Sequence, residues 1–133
     1  MAQPAGYSGK ALWQKLGLAD GQRLLLVNAP RDIDDLLAGA PVMSRLPRLA
    51  EFEVAIAFFV RRGELQLSLA KLLSRLAQGG MIWIAWPKKT SGVATDITEN
   101  VVRDVALPTG LVDVKVCAID ATWSGLKLLR RRA

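Results

Sequence analysis

The stretch Lys88-Lys89-Thr90-Ser91-Gly92-Val93-Ala94-Thr95 gathers side chains suited to holding an anion: two cations, three hydroxyls and a glycine that lets a ligand approach the main chain. It follows an apolar run ending at Trp86-Pro87 and precedes a helical pattern that opens at Asp96. A strand end running into a helix start favours negative charge, because the first helical N–H groups are free and the helix dipole points there. The lysines precede the glycine and no Gly-Lys-Ser/Thr run is present, so the segment is not a P-loop. Asn28, at the end of another apolar run, is expected to join Lys88, Lys89, Thr90, Ser91, Gly92 and Thr95 in an anion-binding site. The competing reading is a solvated loop whose hydroxyls cap the next helix.

Other reactive side chains have simpler explanations. Asp96 and Glu99 could share acid–base work, but their spacing is that of a capping box, with Asp96 as N-cap. Cys117 lies in the middle of a strand pattern, where an isolated thiol behaves as a small apolar group. Trp83, Trp86 and Trp123 could stack bases, although the apolar surroundings of Trp83 point to the core. The chain of 133 residues contains no histidine. That excludes Ser–His and Cys–His nucleophiles, histidine bases and nearly all zinc sites. No metal and no cofactor is expected. A single cysteine excludes an intrachain disulfide.

Half of the net charge of +6 sits in the tail Arg130-Arg131-Arg132, which reads as a solvated chain end. Some 51% of the residues are apolar, enough for the core of one domain over residues 1–133, with 1–6 and 131–133 expected to be flexible. No apolar run is long enough to cross a membrane, and the start lacks the pattern of a signal peptide, so a cytoplasmic protein with no membrane partner is expected.

The elements that must position these residues follow from periodicity. Leu12, Trp13 and Leu16 share one helical face, with Ser8 as N-cap and Gly17 as terminator. Arg23–Asn28, Glu53–Val60 and Met81–Trp86 are near-continuous apolar runs, the pattern of parallel strands buried on both faces. Val42–Leu46 is a weak strand between prolines. Helices are expected over 30–38, over 64–77 with Gly79-Gly80 as terminator, and over 96–106. Val112–Ile119 alternates as a half-exposed strand and returns through Asp120-Ala121-Thr122 into a last strand, Trp123–Arg130.

Alternating strands and helices demand right-handed parallel crossovers, and the closing hairpin adds an antiparallel pair. The expected fold is α/β: a three-layer, mostly parallel Rossmann-like sheet with a C-terminal antiparallel hairpin. That layout, with the corner Leu76-Ala77-Gln78-Gly79-Gly80-Met81-Ile82, resembles a class I methyltransferase sheet lacking one strand–helix unit, a truncated form of that fold. A methyltransferase needs a glycine-rich turn after its first strand and an acid near the end of the second. Asn28-Ala29-Pro30-Arg31 and Ser44-Arg45 supply neither, so S-adenosylmethionine is not expected to bind.

Longer stretches carry a second resemblance. Tyr7-Ser8-Gly9-Lys10, Asn28-Ala29-Pro30, the run from Trp86 to Asn100, the run from Leu107 to Ala118 and Trp123-Ser124-Gly125-Leu126-Lys127 are similar to a family of small bacterial proteins described as a domain of unknown function. The resemblance spans nearly the whole chain and implies no reaction, ligand or catalytic residue. The leading expectation is a non-catalytic module, regulatory or binding an anionic small molecule, on a degenerate methyltransferase-like fold. The alternatives are a nucleic-acid-associated basic protein using Arg61, Arg62, Lys88, Lys89 and the tail, and a diverged enzyme of unknown reaction.

Overall fold

The computed structural model describes residues 9–131. The expected cap Ser8 and the residues 1–6 and 132–133 lie outside that range. The elements are α1 (Leu12–Lys15), β1 (Arg23–Val27), α2 (Ile33–Leu36), β2 (Ser44–Arg45), β3 (Phe52–Phe58), α3 (Arg62–Leu73), β4 (Leu76–Pro87), α4 (Glu99–Ala106), β5 (Leu111–Ala118) and β6 (Trp123–Arg130). The strands form one sheet in the order β2-β1-β3-β4-β6-β5. The first four run parallel, and β6 is antiparallel to both β4 and β5. This is the expected α/β, methyltransferase-like arrangement, with the hairpin reversed so that the last strand pairs with β4.

The apolar runs are buried on both faces because the sheet separates two cores. Leu25, Ala55, Ala57, Ile82, Ile84 and Trp86 face α3 and α4. Leu24, Val54, Ile56, Phe58 and Trp83 face α1 and α2. Trp83 is fully buried, and its indole N–H donates to the Leu16 carbonyl at 2.9 Å. One polar atom of a core side chain therefore finds its partner at the end of α1, tying that short helix to the sheet.

Several expected boundaries move, each for a local reason. The helix expected over 30–38 is a single turn, Ile33–Leu36, between Pro30 and Gly39. The long helix ends at Leu73 rather than near Ala77, and Leu76 already begins β4. Gly79-Gly80 is therefore no helix terminator but an irregularity inside a strand, with φ of 77° at Gly79. A Cβ at Gly80 would lie 2.7 Å from the Glu53 carbonyl oxygen, beside the register shift between β3 and β4. Glycine is required there by close backbone approach. α4 starts at Glu99, with Thr98 as its N-cap accepting the Val101 N–H at 3.2 Å. The capping box expected at Asp96 is not formed. β5 does not alternate strictly, because it is an edge strand with a register shift between Asp113 and Lys115.

The tail also departs from expectation. Arg130 donates to the Leu76 carbonyl at 2.6 Å and the Leu73 carbonyl at 2.9 Å, closing the end of α3. The Arg131 N–H donates to the Gly110 carbonyl at 2.9 Å. Arg130 is thus a structural residue and not part of a solvated end.

Candidate anion-binding site

In open α/β sheets the functional crevice lies beyond the carboxyl ends of the parallel strands, where the strand order reverses. Here that point falls between β1 and β3. Asn28, immediately after β1, has a φ of 53°, a left-handed conformation that asparagine tolerates better than most residues. Its side-chain amide donates to the Phe58 carbonyl at 3.0 Å and bridges the two strand ends. Past β2, no carboxylate stands where a ribose acid is needed. Arg45 occupies that strand end and pairs with Asp34 at 2.5 Å.

The loop after β4 is built by its own hydroxyls. Lys89–Ser91 forms a short 3-10 turn closed by Gly92 in the left-handed region. The Ser91 hydroxyl donates to the Lys88 carbonyl (2.6 Å) and accepts the Val93 N–H (3.1 Å). The Thr95 hydroxyl donates to the Val60 carbonyl (2.6 Å) and accepts the Ile97 N–H (3.1 Å). Ser91 and Thr95 are therefore struts, and the exposed Thr90 keeps the hydroxyl with no protein partner among the described residues. The Lys88 N–H donates to Thr122 at 2.8 Å, anchoring the loop to the β5–β6 turn.

Asp96 performs a task that spacing along the chain does not reveal. Its carboxylate accepts the Arg62 N–H at 2.7 Å and so caps α3, the preceding helix. Together with the Thr95–Val60 bond, this lays the β4 loop against the segment that leaves β3. Arg61 and Arg62 follow β3, and Lys88 and Lys89 follow the neighbouring strand β4, at the same carboxyl edge of the sheet. Among the described residues, no carboxylate forms an ion pair with any of these four cations. The bonds Thr95–Val60 and Asp96–Arg62 span about a quarter of the chain and leave no local signature.

The remaining predicted residues sort cleanly. Asn28 stands at the β1 end and bonds across to β3, away from the lysine loop. Trp83 and Trp86 are buried, and Trp123 is half-buried with its ring edge-on to Phe58 at 5.1 Å. Cys117 is buried, and burial pushes its thiol up despite Lys15, Lys115 and Lys88 nearby, which disfavours the nucleophilic thiolate. Glu99 pairs with Arg103, which also holds Asp113 at 2.8 Å, so Glu99 serves α4. Among the described residues, no group of three or more His, Cys, Asp or Glu is arranged to hold a metal ion. No helix there is long and apolar enough to cross a membrane.

No family model and no curated protein sequence matches the chain. Solved structures do, and they are class I methyltransferases. Magnesium protoporphyrin IX methyltransferase from Synechocystis with bound SAH superposes with a TM-score of 0.57 at 11% identity, covering 90% of this chain and 78% of the other. N-methyltransferase NodS from Bradyrhizobium japonicum gives 0.56 at 12% identity, covering 91% of each chain. The O-methyltransferase family 2 protein from Planctomyces limnophilus gives 0.60 at 14%, covering 96% of this chain and 53% of that one. At such identities the likeness defines the fold: this chain has a class I methyltransferase-like α/β fold.

Proposed function

We propose that this protein is a non-catalytic binding module that uses the methyltransferase-like scaffold to hold an anionic small molecule. The ligand sits at the carboxyl edge, between the β4 loop and the segment after β3. The observation that carries the reading is the imbalance of charge there. Arg61 and Arg62 follow β3, Lys88 and Lys89 follow the neighbouring strand β4, and the carboxylate between them along the chain's fold, Asp96, accepts a main-chain N–H. Unpaired cations beside a capped helix start attract a phosphate or carboxylate. The test is a thermal-shift screen of nucleotides, adenosyl cofactors and phosphorylated metabolites, since a ligand of the native state raises its melting temperature. Any anion found is then titrated against Lys88→Ala/Lys89→Ala. A folded double variant that binds as tightly as the parent overturns the reading.

A second reading, a diverged methyltransferase, rests on the similarity to structures with bound SAM or SAH. The Asn28 amide bridging the β1–β3 crevice and the missing acid after β2 weigh against it. Calorimetry decides: a low-micromolar dissociation constant for S-adenosylmethionine would replace the first reading with this one. If instead the cations serve a nucleic acid, binding to random oligonucleotides falls steeply with salt through counterion release.

A further inference from the structure

A groove of about 330 Å³ opens on the α3 face of the sheet, beside the ends of β1 and β2 and away from the lysine loop. Its apolar walls come from Leu25, Val27, Leu46 and Leu72. Among the described residues, no helix covers this face beyond α3, where the sheet stops at the two-residue edge strand β2. The groove also contains Arg48 and Lys71 and no acidic residue, and neither cation forms an ion pair among the described residues.

The main chain adds a third feature. β1 pairs with β2 only at Arg23 and Leu24, and the last bond between them runs from the Leu46 N–H to the Leu24 carbonyl at 2.9 Å. The chain bends over 47–49 and the ladder ends there. Leu26, two residues past Leu24, turns its N–H and C=O toward the same side by the alternation of a parallel strand, and there they meet no strand. Leu26 lines the groove. An apolar trough therefore carries a main-chain N–H beyond the β1–β2 pairing and two cations that form no ion pair among the described residues.

We propose that this groove binds a small apolar carboxylate, with its hydrocarbon or aryl body against Leu25, Val27, Leu46 and Leu72 and its anionic group toward Arg48, Lys71 and the Leu26 N–H. The volume is at the lower end of small-molecule sites, which suits a single short chain or ring. Apolar walls with a few convergent polar groups are the ordinary composition of such sites. The site is separate from the one at Lys88 and Lys89 and does not depend on it.

The test uses octanoate as probe, followed by amide resonances of the full chain, with octanol and inorganic phosphate as controls. Saturable shifts at Leu26, Leu46 and Leu72 are expected with octanoate at millimolar concentration. Octanol should bind about fivefold more weakly or worse, and Arg48→Ala/Lys71→Ala should lose about five- to tenfold in octanoate affinity at unchanged melting temperature. Lys88→Ala/Lys89→Ala should leave octanoate binding intact. A second variant, Ser68→Phe, which places a ring in the groove from α3, should abolish the shifts. Absence of saturation, shifts confined to Lys88–Gly92, equal affinity for octanol, or unchanged binding by both groove variants would each overturn the assignment.

Discussion

The two edges of the parallel sheet treat charge in opposite ways. At the amino edge every arginine with a structural task has its acceptor. The Arg23 N–H and Nε both donate to Glu53 Oε1, at 2.8 and 3.0 Å, and its Nη2 reaches Glu51 at 3.1 Å. The Arg23 hydrogen bonds hold the Glu53 carboxyl down to about 2, and the two carboxylates push the Arg23 guanidinium up. Arg130 closes α3 and meets the start of β4. At the carboxyl edge Arg61, Arg62, Lys88 and Lys89 stand without carboxylate partners. The charges at the starts of β1 and β3 join strands; past β2 Arg45 pairs with Asp34, whereas among the described residues the four cations after β3 and β4 form no ion pair. Uncompensated like charges destabilise the folded state slightly.

The sharpest way to break this comparison is Arg130→Ala. It strands one carbonyl at the end of α3 and one at the start of β4 and should cost about 1–2 kcal/mol of stability, read as a shifted midpoint in urea unfolding. A loss within noise would make Arg130 a surface residue after all. Next is Glu53→Gln, which should cost about 1 kcal/mol, because both partners of the pair are around a third exposed and screened. Its pH signature is specific. The folded carboxyl titrates near 2 against an ordinary value of 4.5, so its contribution is complete above about 4.5 and is lost as pH falls toward 2. Wild type should lose more stability than Glu53→Gln across that window; parallel curves would show that the pair contributes nothing.

The carboxyl edge should behave the other way. Lys88→Ala/Lys89→Ala should stay within about 0.5 kcal/mol of wild type in stability while losing anion affinity. A large fall in melting temperature would mean that the lysines hold the fold. The smallest effect is expected for Asp96→Asn. The amide oxygen still accepts the Arg62 N–H, so stability should change by a few tenths of a kcal/mol at most. Removing the negative charge should tighten any anion bound nearby. Unchanged binding in this variant would place the anion away from the start of α3.

Much of the scaffold is legible along the chain because it rests on local periodicity. The three buried strands, the leucine face of Leu65, Leu69 and Leu72, and the closing hairpin are all patterns of apolar spacing, which depend on nothing distant. Errors fall where a local signal has a non-local use. Asp96 and Glu99 have the spacing of a capping box, yet Asp96 caps the helix before the strand it follows. Gly79-Gly80 has the composition of a helix stop, yet serves the approach of β4 to Glu53. The residues Lys88, Lys89, Thr90, Ser91, Gly92 and Thr95 do form one loop, but Asn28 belongs to the β1 end and bonds to β3. The segment after β3, with Arg61 and Arg62, is tied to the loop by the Thr95–Val60 and Asp96–Arg62 bonds.

By itself, the sequence determined the class of fold, the absence of histidine chemistry and the lack of a glycine turn and ribose acid, since each depends on residue type and short-range order alone. Only the tertiary structure decided that Asp96 caps α3, that Arg130 bonds main-chain carbonyls, and that the Leu26 main chain lies beyond the short β1–β2 pairing beside an apolar groove. Those outcomes depend on which strands become neighbours, and pairing of segments tens of residues apart is set by the packing of the whole sheet rather than by any one segment.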